Sequence, residues 1–371
     1  MAVVVFYTSA HGLGHISRDI EVIHALDSQA PDTQITIRTS APDWFIQASL
    51  RTPADVQRAE VDPGIVQADS LTVDVEATAR EAARFYGDFS RRVAEETRIL
   101  SALGASVVVG DVPPLAFAAA RKAGIPSILL ANFTWDWIYE AYSNFDQIAP
   151  GVIEIVSSAY ATADTTLRLP LAGGFASVAN VRDIAFIARR SELGREAARS
   201  RLNIPVTRLV GLASFGRYGL GLPYEHVVRE SDLTLVASTD GVRQSATTRA
   251  TSHDNQLIRL SADDLLRRGL RYEDLVAAAD VVITKPGYGI VSECAVNGTA
   301  LLYAQRGSFV EQDLLIREMP RLVRCRSIAH EQLMSGNWRK DIDALLAQPV
   351  PSTDVDASGA DAAAEAILAA G

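Results

Sequence analysis

Residues 9–18 read Ser9-Ala10-His11-Gly12-Leu13-Gly14-His15-Ile16-Ser17-Arg18 and directly follow an apolar run at residues 2–7. An apolar run followed by glycines and a helical pattern predicts a buried strand, a turn and a helix. Glycines in such a turn let a ligand approach the backbone N–H groups of a helix N-terminus, where anions are favoured. The first strand is therefore followed by a candidate ligand-binding turn.

A second turn of this kind follows the apolar run at residues 281–283 and reads Lys285-Pro286-Gly287-Tyr288-Gly289-Ile290-Val291-Ser292-Glu293. Elsewhere, short apolar runs alternate with segments of helical length. The runs lie at residues 3–6, 35–37, 107–109 and 128–130 in the first half, and at 209–212, 233–236, 281–283 and 301–303 in the second. This alternation predicts an α/β protein with two doubly wound, Rossmann-like domains, which we expect to face a shared cleft.

The length of the chain also favours two domains, because 371 residues exceed the usual size of one core. We predict an N-terminal domain at residues 1–190 and a C-terminal domain at residues 191–371, with the linker near 185–205. The helical pattern at residues 360–370 could pack back on the N-terminal domain.

Composition excludes several classes of protein. The formal charge of -10 argues against a general nucleic-acid binder. No apolar stretch approaches the roughly 20 residues of a membrane span, and no signal-peptide pattern is present, so we expect a cytoplasmic protein without stable membrane insertion. The two cysteines, Cys294 and Cys325, support neither a disulfide framework nor a zinc site. No metal is predicted, and the sequence does not indicate the oligomeric state.

Two polar residues follow predicted strands of the first half, where ligands of open parallel sheets bind. His15 lies in the first glycine turn, and Asp111 ends the run at residues 107–109. A histidine supported by a carboxylate is a suitable general base near neutral pH. Alternatively, both residues only cap their turns, or His11 takes the place of His15 as the base.

The second half offers a candidate site for a diphosphate. The loop after the run at residues 209–212 contains Ser214, Phe215, Gly216 and Arg217, whose backbone N–H groups and guanidinium suit that ligand. Glu293 lies a little over one helical turn beyond Gly289, where a carboxylate can accept hydrogen bonds from a ribose. The alternative is an ordinary exposed helix glutamate.

Three segments together resemble the GT-B glycosyltransferases, in particular the glycosyltransferase-like N-terminal region of L-arabinokinases and its stand-alone bacterial relatives. They are residues 11–18, residues 285–293 and Asn132-Phe133-Thr134-Trp135-Asp136-Trp137-Ile138-Tyr139. The resemblance covers essentially the whole chain. It implies that His15 is the base and Asp111 its partner, and that a nucleotide-diphosphate sugar, with UDP favoured, is the co-substrate without a further cofactor. A more distant likeness is to the lipid-linked GlcNAc transferase of peptidoglycan synthesis. Two departures are the phosphate loop, which lacks the Gly-Gly-Ser pattern of that enzyme, and Tyr288, which replaces a smaller residue.

The resemblance also divides the binding residues between the two domains. It implies a donor site at Ser214, Phe215, Gly216, Arg217, Lys285, Gly287, Tyr288, Gly289 and Glu293, with Glu311 and Gln312 reading the donor sugar. We expect the acceptor, a small molecule or a glycolipid, to meet His11, Gly14, Trp135, Asp136 and Trp137. Aromatic faces stack on sugars and flat aglycones, and a carboxylate binds hydroxyls. The alternative for the aromatic segment is core packing.

These observations favour a metal-independent, inverting glycosyltransferase that transfers a hexosyl or pentosyl group to a hydroxyl acceptor. Two alternatives stay open at this point. A nucleotide-sugar epimerase or hydrolase would share the fold and the donor site but need no acceptor. A non-catalytic module that binds nucleotide sugars and regulates another enzyme would need no base.

Overall fold

The computed structural model describes residues 2–216, 219–239 and 256–371. The chain divides into two compact units. Unit 1 comprises Met1–Val66, Val73–Ile187 and Asp356–Gly371, and unit 2 comprises Gln67–Thr72 and Ala188–Val355. The main change of unit therefore falls three residues before the predicted boundary at 190/191. Two short segments depart from a simple division into halves, since residues 67–72 belong to unit 2 and residues 356–371 to unit 1.

Unit 1 is built on a parallel sheet in the order β3-β2-β1-β4-β5-β6-β7. The strands are β1 (Val3–Thr8), β2 (Gln34–Thr39), β3 (Asp55–Arg58), β4 (Val107–Asp111), β5 (Ser127–Phe133), β6 (Thr165–Gly173) and β7 (Val181–Asp183). The helices are α1 (Gly14–Gln29), α2 (Asp43–Ser49), α3 (Val75–Gly87), α4 (Phe89–Leu103), α5 (Pro114–Ala123), α6 (Trp135–Glu140), α7 (Phe145–Ile148), α8 (Val152–Tyr160) and the C-terminal α17 (Gly359–Ala370).

Unit 2 contains a second parallel sheet, in the order β10-β9-β8-β11-β12-β13. The strands are β8 (Val210–Ser214), β9 (Thr234–Ser238), β10 (Leu257–Leu260), β11 (Val281–Thr284), β12 (Ala300–Ala304) and β13 (Cys325–Ile328). The helices are α9 (Gly194–Leu202), α10 (Tyr224–Ser231), α11 (Ala262–Arg267), α12 (Tyr272–Ala278), α13 (Tyr288–Asn297), α14 (Gln312–Glu318), α15 (His330–Ser335) and α16 (Arg339–Leu346), with a 3-10 turn at Met319–Arg321.

The predicted α/β class, with a doubly wound sheet in each unit, is confirmed. Each predicted apolar run overlaps an observed strand. The five strands that were not predicted, β3, β6, β7, β10 and β13, lie toward the sheet edges. Their exposed and half-buried positions break up the continuous apolar run that marks a central parallel strand.

The C-terminal helix α17 belongs to the core of unit 1. Its residues Ala363, Ala364 and Ile367 are buried in the same cluster as Ile16 and Ile20 of α1. Alanine on one face permits a close approach of two helices. The last helix therefore packs where the sequence analysis suggested that it could.

In both sheets the strand order reverses beside the first strand of the unit. In unit 1 this point lies between β1 and β4, whose last residues Thr8 and Asp111 are paired. In unit 2 it lies between β8 and β11, whose last residues Ser214 and Thr284 are paired. Ligands of open α/β sheets bind at the carboxyl ends of strands at such points. The topology thus places both glycine turns where binding is expected.

Candidate active site

The turn between β1 and α1 brings His15 to the end of β4. Gly12 adopts a φ of +79°, a left-handed conformation that favours glycine, and α1 begins two residues later at Gly14. His15 is therefore the second residue of the helix. Its ring lies against the last residue of the neighbouring strand, Asp111, although the two are far apart in sequence.

The predicted contact between His15 and Asp111 is present. The Nδ1 atom of His15 lies 2.7 Å from Oδ1 of Asp111, and the two side chains are almost completely buried. Burial alone would raise the pKa of Asp111, but the Arg18 guanidinium and the His15 ring outweigh it and hold this pKa well below its usual range. An ionised carboxylate only accepts hydrogen bonds, so Nδ1 carries the ring proton and Nε2 keeps the free lone pair.

Arg18 is a third member of this cluster and was not assigned a role from the sequence. It lies one turn after His15 on α1, and its Nε and Nη2 atoms donate to the two carboxylate oxygens of Asp111. Its Nη1 atom donates to Oδ1 of Asn132 at the end of β5. Such a two-pronged contact fixes the plane of the carboxylate. Arg18 therefore sets the orientation in which Asp111 meets His15.

Asp19 is the fourth ionisable member. Its side chain is fully buried, and Oδ2 accepts a hydrogen bond from the Thr8 hydroxyl. Its other oxygen, Oδ1, has no hydrogen-bond partner. Burial and the neighbouring charge of Asp111 raise the pKa of Asp19 well above its usual range. Asp19 therefore keeps its proton to a higher pH than an ordinary carboxylic acid does.

A further carboxylate, Asp62, lies in the segment after β3 and was also missed by the sequence analysis. Its Oδ1 accepts from the Ser9 hydroxyl and its Oδ2 from Nε1 of Trp135, each at 3.0 Å. Burial raises the pKa of Asp62 to about 6, against the opposing effect of both donors. The ring of His11 meets Trp135 edge-on, with ring centres 5.5 Å apart.

The predicted acceptor residues are corrected at two positions. Trp135 is only 1% exposed and stacks on Tyr139, so its ring belongs to the core of unit 1. Asp136 is 5% exposed and accepts hydrogen bonds from the Ser157 and Ser177 hydroxyls. Core packing, the alternative stated from the sequence, therefore applies to both.

For the other three acceptor candidates, the predicted roles stay predictions. Trp137 is half-buried and lies so close to Gly173 that a side chain there would clash with it. His11 is half-buried, and Gly14 is exposed at the start of α1.

In unit 2, the loop after β8 is partly described. The Ser214 hydroxyl lies 2.5 Å from that of Tyr272, and Gly216 has a φ of +69°. The side chain of Phe215 is buried in the hydrophobic core, which leaves only its backbone for a ligand. Arg217, which we predicted to neutralise a diphosphate, lies outside the described residues.

The second glycine turn places a lysine next to a helix N-terminus. Gly287 directly precedes α13, which begins at Tyr288 and continues through Gly289. Lys285 precedes this turn and is half-buried. Burial and the nearby charge of Arg306 lower the pKa of Lys285 to about 7. A lysine that is only partly charged near neutral pH would gain its proton fully on meeting an anion.

The predicted pair Glu311 and Gln312 is held by Arg306. Glu311 forms an ion pair with its guanidinium, at 3.1 Å. The Gln312 amide is 8% exposed, and its two ends bond the backbone N–H and C=O of Arg306. Gln312 therefore holds the backbone of Arg306 in place. Its predicted role in binding the donor sugar stays a prediction. The role of Glu311 stays a prediction.

Glu293, the predicted ribose-binding residue, is a buried member of an ion pair. Its Oε1 lies 2.6 Å from Nη2 and 2.7 Å from Nε of Arg189. Arg189 also lies over the ring of Tyr272, 5.0 Å from its centre. Asn297, one turn after Glu293, donates to the C=O of Arg189. Glu293 is thus no ordinary exposed glutamate, and Arg189 fixes its orientation.

Within the described parts of the chain, no group of three or more His, Cys, Asp or Glu residues is arranged to hold a metal ion. Cys294 is buried and Cys325 half-buried, and neither forms a disulfide. Among the helices of those same parts, none combines the length and the apolarity needed to cross a membrane.

Comparison with known sequences finds a match to L-arabinokinase of Arabidopsis thaliana. The two are 28% identical over 346 residues, which cover 91% of this chain and 31% of the plant protein. The chain therefore spans about a third of the length of that relative. No protein-family model matches the chain.

Comparison with solved structures finds similar folds over nearly the whole chain. The kitacinnamycin glycotransferase matches with a TM-score of 0.60 and 17% identity, covering 99% of this chain and 97% of its own. The glycosyltransferase VinC, solved in complex with DTDP, matches with a TM-score of 0.57 and 16% identity over 99% and 94%. UGT2 of Phytolacca americana, complexed with UDP-2fluoro-glucose and pterostilbene, matches with a TM-score of 0.55 and 14% identity, covering 93% of each chain. At these identities the likeness establishes the fold.

Proposed function

We propose that this chain, which has the GT-B fold and resembles L-arabinokinase in sequence, is an inverting glycosyltransferase. It would transfer a sugar from a nucleotide-diphosphate sugar, with UDP favoured, to a hydroxyl acceptor. The contact of 2.7 Å between Nδ1 of His15 and Oδ1 of Asp111 carries the proposal. It leaves Nε2 of a buried histidine as a proton acceptor, which a transferase needs because a neutral hydroxyl is a poor nucleophile.

In the proposed reaction, the acceptor hydroxyl gives its proton to Nε2 of His15. The acceptor oxygen bonds to the anomeric carbon of the donor sugar from the face opposite the diphosphate. The bond from that carbon to the diphosphate oxygen breaks with its electron pair, and a nucleoside diphosphate leaves. Asp111 stabilises the imidazolium that forms, and no metal takes part in this scheme.

Unit 2 supplies the groups that we assign to the donor. Lys285 and the N-terminus of α13 would stabilise the negative charge of the departing diphosphate. Glu293, held by Arg189, offers a buried carboxylate to the ribose. The complexes of VinC with DTDP and of UGT2 with a UDP-sugar support the proposal of a nucleotide-sugar donor for a chain of the same fold.

The decisive experiment measures the release of UDP from a panel of UDP-sugars, with and without a panel of hydroxyl acceptors. We expect release that depends on an acceptor and falls about 10² to 10⁴-fold in His15→Ala, with the affinity for the nucleotide unchanged. His330→Ala changes an exposed histidine of unit 2 and is the matched control. Release of UDP without any acceptor would indicate a hydrolase instead, and conversion of the UDP-sugar to an isomer without release of UDP would indicate an epimerase. Nucleotide binding without turnover would indicate a binding module.

A further inference from the structure

A carboxylate in unit 1 stands beside the His15 and Asp111 pair and has no role in the proton transfer just described. Ser9 connects the two. Its backbone N–H donates to the C=O of Asp111 at 2.7 Å, and its hydroxyl donates to Oδ1 of Asp62 at 3.0 Å. Ser9 is fully buried, so this connection runs inside the protein. Asp62 is thereby tied to the end of β4, where the base lies.

The orientation of the Asp62 carboxylate is fixed, yet its capacity to accept hydrogen bonds is only partly used. Ser9 occupies one acceptor position on Oδ1, and Nε1 of Trp135 occupies one on Oδ2. Each carboxylate oxygen offers about two such positions. Both donors are fully buried, whereas Asp62 itself is half-buried. The carboxylate is therefore held from the protein side and can take donors from the accessible side.

The charge of Asp62 also suits recognition. Burial raises the pKa of this carboxyl to about 6, so it is mostly ionised at pH 7. The charges of His15 and Asp111 both act on it, which places it within electrostatic reach of the base. An ionised carboxylate forms hydrogen bonds about twice as strong as those of a neutral acceptor.

Three aromatic residues of the same region, Trp135, Tyr139 and Phe145, do not offer a platform for a flat aglycone. Trp135 and Tyr139 are stacked on each other, and Tyr139 is stacked in turn on Phe145. All three rings are at most 1% exposed. Their faces are used for internal packing, so these three rings leave recognition to the groups next to them, among which is the half-buried carboxylate of Asp62.

We propose that Asp62 binds the acceptor and that the acceptor is a neutral polyhydroxyl compound, such as a sugar or a cyclitol. One hydroxyl of the molecule approaches Nε2 of His15, and further hydroxyls donate to the two carboxylate oxygens of Asp62. This assignment rests on the proposed glycosyltransferase function and adds the chemical class of the acceptor. It replaces the buried residues Trp135 and Asp136 as the recognition element of unit 1.

The test is an NMR titration of the full chain, saturated with UDP, with three probes: myo-inositol, methyl α-glucoside and 4-nitrophenol. We expect wild type to bind the two polyols more tightly than the phenol. Asp62→Asn keeps the size of the side chain but removes its charge, and it should weaken polyol binding at least tenfold with the Kd of UDP unchanged. Asp146→Asn, at an exposed carboxylate of unit 1, is the control and should leave polyol binding within twofold of wild type.

Three results overturn the assignment: tighter binding of the phenol, no polyol binding by wild type, or equal polyol binding by wild type and Asp62→Asn. If Asp62→Asn does not fold, the ranking of the probes by wild type decides alone. Absence of UDP binding to wild type is a separate result, because it contradicts the proposed function itself. The two failures are therefore distinguished in one sample.

Discussion

Arg18 binds both carboxylate oxygens of Asp111, so the buried negative charge behind His15 is already balanced by a guanidinium. A histidine and an aspartate alone would place an uncompensated charge in the core whenever the ring is neutral. With Arg18 present, the guanidinium charge offsets the carboxylate charge of Asp111 while the His15 ring is neutral. Proton uptake by His15 then adds a single positive charge to the site.

Loss of Arg18 should strongly destabilise the protein. Arg18→Met leaves Asp111 ionised in a fully buried position without its main partner, and such broken pairs cost about 3 to 5 kcal/mol of unfolding free energy. Chemical denaturation at pH 7 measures the loss. Arg84→Met removes an exposed ion pair with Glu60 and serves as the control, for which we expect less than about 1 kcal/mol. The double variant Arg18→Met/Asp111→Asn should recover part of the loss. A loss below about 1 kcal/mol in Arg18→Met would contradict the assigned charges.

Asp19 should make the protein less stable as the pH rises. The pKa of Asp19 in the folded protein lies well above the ordinary value of 3.8. At pH values between the ordinary pKa and the folded pKa, the native state therefore binds more protons than the unfolded state. The unfolding free energy contributed by this group therefore falls with rising pH, by about 1.4 kcal/mol per pH unit. Asp19→Asn keeps the shape and removes this slope. The unfolding free energies of both proteins are measured at pH 5, 6 and 7, and that of the variant should rise relative to wild type as the pH increases. If the two free energies change in parallel with pH, Asp19 is ionised in the native state.

Binding of UDP-glucose should take up a proton through Lys285. A free pKa of about 7 leaves roughly nine in ten of these side chains neutral at pH 8, and a bound diphosphate favours the charged form. We therefore expect an uptake of about 0.9 proton at pH 8, and almost none at pH 6. Calorimetry in two buffers of different ionisation enthalpy measures it. Lys285→Arg keeps a permanent charge and should bind without proton uptake. The same uptake in that variant would assign the proton to another group.

Glu293 and Arg189 should act as a unit in nucleotide binding. Glu293→Ala should weaken the binding of UDP by about 1.5 to 3 kcal/mol, the scale of hydrogen bonds to a charged group, and 2′-deoxy-UDP should bind wild type less tightly than UDP. Arg189→Met frees the carboxylate from its fixed orientation and should also reduce the affinity. Glu318→Gln, at the last residue of α14, where Glu318 pairs with Arg317, is the control. If calorimetry gives the same affinity for Glu293→Ala as for wild type, the ribose assignment is wrong.

The sequence predicted the central strands and both glycine turns because buried parallel strands leave continuous apolar runs, and turns at strand ends need glycine. It also predicted the contact between His15 and Asp111, since both follow strands that meet at the same edge of the sheet. Their strand ends are neighbours in the observed register. Residue type and position after a strand were sufficient in these cases.

Other residues of the site are not marked by any pattern in the sequence. Asp62 follows β3, an edge strand with no buried position, so no apolar run marks it as the end of a strand. Arg189 lies in an irregular segment more than 100 residues before its partner Glu293. Trp135 was misassigned because a motif shows which residues are present but not which way a side chain points. That direction depends on packing against Tyr139 and on the hydrogen bond to Asp62.

Unit 1 receives its last helix from the far end of the chain, and this has a consequence for synthesis on the ribosome. Residues such as Ile16 and Ile20 emerge early, but the side chain of Ile367 that covers the same core is added only after residues 188–355 of unit 2. The apolar surface of α1 stays incompletely covered while residues 188–355 of unit 2 are being made. The order of translation therefore favours folding of unit 2 before unit 1 is complete. A fragment that stops at residue 190 would expose apolar core residues of unit 1.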